Sequence, residues 1–262
     1  QSSTTYSYDT NGVLTAASGS GSAHTDDGYG NLTDLTSTQT FTLIDGKAKV
    51  EAGTSVSHTA NLDGSYSDGN VTTRYTYDEN GILTGATGSG AAADNVSDDG
   101  FGNKTTTGIT QTYAIIAGQA RLTASESTSR TTNVDGSFAD GRTVTSYRYD
   151  EDGVLTGASG SGAADDNVSD DGFGNKTCTA ISQEYAVIAG RAVMTRNISH
   201  SETDSLDESS TISDMTTVYE FDERGVLQSA SGSGSSTTDD GFGSVSTSTM
   251  VQNYAILNGR AK

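Results

Sequence analysis

The sequence predicts an all-β fold, an elongated array of nearly four tandem repeats of about 70 residues built from antiparallel β-hairpins in a meander. Three observations predict it. One phrase returns four times: YSYDTNGVLTAASGSG at Tyr6, YTYDENGILTGATGSG at Tyr75, YRYDEDGVLTGASGSG at Tyr147 and YEFDERGVLQSASGSG at Tyr219. Its central acids, Asp9, Asp78, Asp150 and Asp222, stand 69, 72 and 72 residues apart, the period of one supersecondary unit set beside its copies. Between these phrases apolar and polar residues alternate with period two, and no stretch carries a helical period. The copies divide the chain into 1–70, 71–142, 143–214 and a partial fourth at 215–262.

The second copy gives the elements in order. VTTRYTYD alternates, with Val71, Thr73, Tyr75 and Tyr77 on one face and Thr72, Arg74, Thr76 and Asp78 on the other, which predicts a strand with one covered face. ENG then turns the chain, with Gly81 at a position that needs φ > 0 and Gly12, Gly153 and Gly225 in the matching places. ILTGATGSG is the return strand, expected to fade into a Gly/Ser segment that bends. A loop follows, DDGFGN at Asp98, which is DDGYGN at Asp26, DDGFGN at Asp170 and DDGFGS at Asp239. The strand KTTTGITQTYAII ends at a two-residue turn, Ala117-Gly118, matched by Asp45-Gly46, Ala189-Gly190 and Asn258-Gly259. QARLTASESTSRTTNV returns, and a turn over VDGSFADG (Val134 to Gly141) leads to the next tyrosine strand. In the third copy that turn reads SLDESSTISD and lacks the glycines found at Gly64, Gly69, Gly136 and Gly141. Four strands per copy at about 4.8 Å each advance the sheet by about 19 Å per repeat. The stretch before the DDG loop is longer by three residues in the second and third copies, an insertion expected in a loop on one face.

Composition limits what such a sheet can bury. Apolar residues are 32% of the 262, aromatics 7%, with 32 Gly, no Trp and no Pro. The core is therefore expected to be thin, made of stripes such as Tyr77, Tyr113, Ile115 and Leu122. The formal charge of −20 excludes a phosphate-binding surface, and with it nucleic acid as a partner. No apolar run is long enough for a transmembrane helix, so membrane insertion is not expected. The single Cys178 excludes an intrachain disulfide framework; it takes the place of a Thr in the preceding copy. The chain begins and ends out of phase with its repeat, which reads as a fragment of, or one protomer in, something longer.

The hairpin Y-x-[YF]-D-x-x-G-x-L, carried by Tyr75, Tyr77, Asp78, Gly81 and Leu83 and by their counterparts, resembles the YD repeat of the Rhs and teneurin-type β-shell proteins. The structural residues are Tyr8, Asp9 and Gly12; Tyr77, Asp78 and Gly81; Tyr149, Asp150 and Gly153; and Phe221, Asp222 and Gly225. The resemblance covers about ten residues per repeat. It implies a β-hairpin and, in that family, a spiralling sheet that can enclose a cargo. Read from the residues alone, the Tyr pair covers the sheet, Asp and Gly shape the turn, and Leu packs beneath.

Two readings fit the DDG loops. Ca²⁺ takes several carboxylate, amide and carbonyl oxygens, and Asp26, Asp27, Asp98, Asp99, Asn103, Asp170, Asp171, Asn175, Asp239 and Asp240 offer them, with Asp94 as a further ligand. The same letters also spell an ordinary turn with its aromatic tucked back onto the sheet, and that reading is preferred. No other cofactor is indicated. Catalytic readings find little: His24, His58 and His200 occupy different registers, and the paired carboxylates recur in every copy instead of marking one cleft. Seven N-x-[ST] sequons, at Asn31, Asn70, Asn95, Asn103, Asn167, Asn175 and Asn197, matter if the source secretes through a glycosylating pathway.

The expectation is an extracellular or cell-surface structural protein and not an enzyme, a segment of a filament, sheath or stalk that forms a homo-oligomer or polymer through open strand edges. The alternatives are a calcium-stabilised adhesin or carbohydrate-binding array, and an Rhs-like β-shell segment.

Overall fold

The computed structural model describes residues 1–257, 260 and 261, and the chain is all-β: consecutive antiparallel hairpins run as a meander from repeat to repeat. Chain contacts separate two compact units, Gln1–Asn133 and Val134–Lys262. The first contains β1 (Ser2–Tyr8), β2 (Leu14–Asp26), β3 (Leu32–Ile44), β4 (Lys47–Ala60), β5 (Tyr66–Tyr77), β6 (Leu83–Gly90), β7 (Val96–Asp98), β8 (Lys104–Ile116) and β9 (Gln119–Thr132). The second contains β10 (Phe138–Tyr149), β11 (Leu155–Gly162), β12 (Val168–Asp170), β13 (Lys176–Ile188), β14 (Arg191–Asp204), β15 (Ser210–Phe221), β16 (Leu227–Asp239) and β17 (Val245–Asn253). A short pair, β18 (Ile256–Leu257) and β19 (Arg260–Ala261), follows. The Asn258-Gly259 turn expected from sequence lies outside the described residues.

Each repeat supplies four strand positions, as the alternation requires, but little is buried beneath them. Tyr77, Tyr113, Ile115 and Leu122 are only half-buried. Among the described residues the buried hydrophobic ones are four alanines, Ala52, Ala86, Ala158 and Ala230. Ala86, Ala158 and Ala230 sit opposite Tyr75, Tyr147 and Tyr219 in the tyrosine hairpins. Stability must therefore come largely from backbone ladders and cross-strand pairs. Hydroxyl rows run across the sheet: Thr25, Thr33, Thr59, Ser67, Ser97, Thr105 and Thr131 oppose one another in succession. Within that row Thr33–Thr59 and Thr105–Thr131 share hydrogen bonds of 3.1 and 2.8 Å.

The Gly/Ser segments do not bend, contrary to expectation. They are strand, and glycine is needed there because a neighbour lies over it. A Cβ on Gly88 would meet Gln111 of β8, 2.9 Å from that residue's Cβ, and one on Gly160 would lie 3.0 Å from the Cβ of Gln183. Gln111 and Gln183 fold across the glycines and accept a hydrogen bond from Tyr113 and Tyr185, each at 3.0 Å. The turn expected over Val134 to Gly141 is also shorter than its letters, because β10 already starts at Phe138.

The three-residue insertion forms a single 3-10 turn, Ala92–Asp94 in the second copy and Ala164–Asp166 in the third. The strand partner of β5 is thereby interrupted between β6 and β7, and Asn95 fills the gap. Its side-chain Oδ1 accepts from the Asn70 N–H at 2.7 Å, and its Nδ2 donates to the Asn70 and Ala91 carbonyls at 3.1 and 2.7 Å. Its backbone carbonyl accepts from Thr107 of β8 at 2.8 Å. Asn167 repeats this with Arg142, Ala163 and Thr179. The primary amide has the same donor and acceptor as a peptide unit, so it substitutes for one in the ladder.

Candidate functional site

The repeated motifs lie at opposite ends of the strands. At one end are the tyrosine hairpins. Asp78 Oδ1 accepts from Asn80 and Ile82 N–H at 3.0 and 2.8 Å, and Gly81 takes φ +73°. Asp9, Asp150 and Asp222 make the same bond to the residue four positions on, at 2.8 Å in every copy. Gly12, Gly153 and Gly225 share the left-handed backbone of Gly81. The bond from the Tyr77 hydroxyl to the Val50 carbonyl, 2.8 Å, ties this hairpin to the projecting tip of β3–β4. Tyr8, without a neighbour of that kind in its unit, is exposed.

At the other end of the strands, the first unit has the loops at Asp26 and Asp98 with the turn at 61–65 between them, and the second has the loops at Asp170 and Asp239 with the turn at 205–209 between them. Asp99 Oδ1 accepts from Phe101 and Asn103 N–H at 2.8 and 3.2 Å, while Oδ2 takes the Asn103 amide at 2.6 Å. Asp98 Oδ1 accepts from Gly100 N–H at 2.8 Å. Asp26, Asp27 and Asn31 are arranged alike, as are Asp170, Asp171 and Asn175. Asp239 and Asp240 keep the backbone bonds, with Ser244 in the Asn place. The backbone bond from Phe101, then the Asn103 amide, holds the Asp99 carboxyl below its usual pKa; Tyr29 with Asn31, and Phe173 with Asn175, do the same for Asp27 and Asp171. Asp240 is lowered chiefly by the backbone of Ser244 and Phe242. The loop carboxylates are thus turned onto their own backbone. Among the described residues no three His, Cys, Asp or Glu side chains form a group able to hold a metal, so Asp94 does not join Asp98 and Asp99 in one.

Loops and turns are stitched together. Asn31 Oδ1 accepts from Leu62 N–H at 3.1 Å and Asn175 Oδ1 from Leu206 N–H at 3.0 Å. Gly100 packs so closely on Asp63, Gly64 and Ser65 that a Cβ there would sit 3.0 Å from backbone atoms. The glycine-poor turn of the third copy keeps the shape of the others: Ser209 N–H donates to Asp207 as Ser65 does to Asp63, and Glu208 takes φ +69° where Gly64 and Gly136 take +86° and +89°. A Cβ at Gly64 or Gly136 meets nothing, so the substitution adds backbone strain without a clash.

The loop aromatics do not tuck onto the sheet. Tyr29, Phe101, Phe173 and Phe242 are 82, 80, 78 and 87% exposed, with Leu62 and Leu206 exposed between them. Each ring stands at the apex of a loop whose inner space is taken by the Asp hydrogen bonds, which leaves the side chain outside.

Sequence reasoning missed the side-chain duties of Asn95, Asn167, Gln111 and Gln183. The signal was present: Gln39, Gln111, Gln183 and Gln252 recur in step with the repeat, and Asn95 and Asn167 occur only in the copies with the insertion. The amides of Asn31, Asn95, Asn103, Asn167 and Asn175 are engaged in these bonds, so five of the seven sequons cannot carry a glycan without breaking them. Each histidine faces an aspartate across the strands: His24–Asp34 at 2.7 Å, His58–Asp68 at 2.6 Å and His200–Asp214 at 2.7 Å. Cys178 lies half-buried in β13 opposite Val168 and Glu202. Among the described residues no helix is long and apolar enough to cross a membrane. No protein-family model matches the chain, and no curated protein matches it either.

Proposed function

We propose that the chain is an extracellular structural repeat protein, a segment or subunit of a self-assembling surface filament, sheath or stalk, and that it has no catalytic role. The observation that carries this reading is equivalence. The aspartate bond of the tyrosine hairpin has the same partner position and the same 2.8 Å length in all four copies. An enzyme concentrates its unusual groups in one pocket, whereas here the unusual groups are distributed evenly and spent on holding turns. Strand edges supply the means of assembly. Among the described residues of its unit β1 pairs along one edge only, with β2, and β17 pairs only with β16. Such edges accept another strand. The test is electron microscopy of the full chain with and without a calcium chelator. Regular filaments that survive chelation are expected. Discrete particles at all concentrations would overturn assembly, and filaments that dissolve on chelation would replace this reading with a calcium-stabilised adhesin.

A further inference from the structure

We propose that the loop end of each unit is a docking strip for a polymeric amino sugar, with the exposed rings stacked on pyranose faces and the loop carboxylates paired with its ammonium groups. In the first unit Tyr29, Leu62 and Phe101 occupy successive connections at one end of the strands, since β2–β3, β4–β5 and β7–β8 all turn there. Connections two strands apart are separated by about 10 Å, which puts the two rings about 19 Å from each other. Phe173, Leu206 and Phe242 repeat this in the second unit. Turn formation does not explain these side chains: the loop is closed by Asp99, Asn103 and glycine, and the ring contributes only its backbone N–H. Large apolar groups left in water at every copy mark a contact surface. The bonds that hold their backbones pre-organise it.

Charge and periodicity identify the partner. Around the first strip stand Asp26, Asp27, Asp63, Asp98 and Asp99, with Lys104 3.8 Å from Asp98. An acidic rim repels nucleic acid, anionic lipid and the same rim on a second copy, which leaves the strand edges free for assembly. It favours a cation, and an aromatic face attracts an ammonium group as well as apolar C–H surface. The same contact offered at a fixed interval suits a ligand that repeats the same chemical group, as a homopolymer does and a folded partner does not. Weak single contacts then add through multivalency. Beside Phe101 an open groove of about 470 Å³, lined by Asn61, Ser65, Tyr66, Asp98, Asn103 and Thr131 among others, offers hydroxyl, amide and carboxylate partners for sugar hydroxyls.

The test measures retention of the full chain on fully deacetylated poly-glucosamine, with poly-N-acetylglucosamine, a neutral glucan and polylysine as comparisons. Retention on poly-glucosamine is expected to exceed that on the two uncharged polymers and to weaken with salt. Replacing Tyr29, Phe101, Phe173 and Phe242 together by Ala should reduce it at least about tenfold with the β-sheet circular dichroism unchanged. Single Phe101→Ala and Phe173→Ala variants, each with a smaller loss, serve if the fourfold variant does not fold. No retention on poly-glucosamine at low salt, or retention independent of the rings, overturns the proposal. So does equal, ring-dependent retention on polylysine, which would assign the strip to a basic protein.

Discussion

The strand that follows each tyrosine hairpin is built in two ways. In the first and fourth copies β2 and β16 run unbroken for 13 residues. In the second and third the chain leaves the ladder after Gly90 and Gly162, makes one 3-10 turn, and returns as β7 and β12. The neighbours hardly register the difference. Asp214 of β15 faces the backbone of Ser235, while Asn70 at the equivalent place in β5 faces the Asn95 side chain. What the repeats preserve is an occupied ladder, whichever atoms occupy it. With little apolar surface to bury, an unpaired N–H or C=O here costs more than a missing methyl group.

The largest effect is expected from breaking the substitute peptide. Asn95→Ala leaves the Asn70 N–H and C=O and the Ala91 carbonyl without their partner, and should lower stability by about 2–4 kcal/mol in urea titration. Replacing residues 91–97 by the Ser-Ser-Thr-Thr found at 235–238 should instead restore an unbroken strand and stay within about 1 kcal/mol of the native chain. A loss as large as that of Asn95→Ala would show that the insertion does more than bridge.

Next comes the glycine that both kinds of strand share. Gly160→Ala forces Gln183 away and should cost about 1–3 kcal/mol. Adding Gln183→Ala should recover part of that loss, since the contacts with the glutamine Oε1 and Cδ go while the 3.0 Å approach to its Cβ stays and the Tyr185 hydroxyl loses its acceptor. No recovery in the double variant would mean that the close approach of the two strands, and not the glutamine amide, requires the glycine.

Glu208→Gly should act in the opposite direction. It relieves a left-handed non-glycine residue and is expected to stabilise by about 1 kcal/mol, seen as a higher urea midpoint. The smallest effect is in pH. The folded carboxyl pKa values of Asp27, Asp99, Asp171 and Asp240 lie below the ordinary 3.8. Their contribution is therefore complete above that value and is lost as pH falls through the depressed values. Amide chemical shifts of Tyr29, Phe101 and Phe173 should move only below about pH 4; movement near neutrality would contradict the Asp hydrogen bonds.

The parts of this architecture that were legible in sequence are those set by neighbours in the chain. Asp78 and Gly81 close one turn between them, and period-two alternation is a property of single strands, so the all-β meander of hairpins could be read directly. The parts that were not legible depend on residues far along the chain. Gly88 looks like a hinge until Gln111, 23 positions later, is laid across it, and Asn95 looks like a loop residue until Asn70 is placed opposite. The loop rings read as packing groups because a lone aromatic beside glycines gives no sign of which side of its loop is already filled. Glu208 marked a departure in the sequence, but only the backbone showed that the turn persists under strain.

Native-state amide hydrogen exchange on the full chain tests most directly the claim that equivalent ladders, and no special core, hold the molecule. Protection should recur at matching strand positions in successive copies, and the Asn70 and Arg142 amides should be as protected as their ladder neighbours although their acceptors are side chains. Strong protection confined to one copy, with the others exchanging freely, would contradict the account and point to a single dominant core.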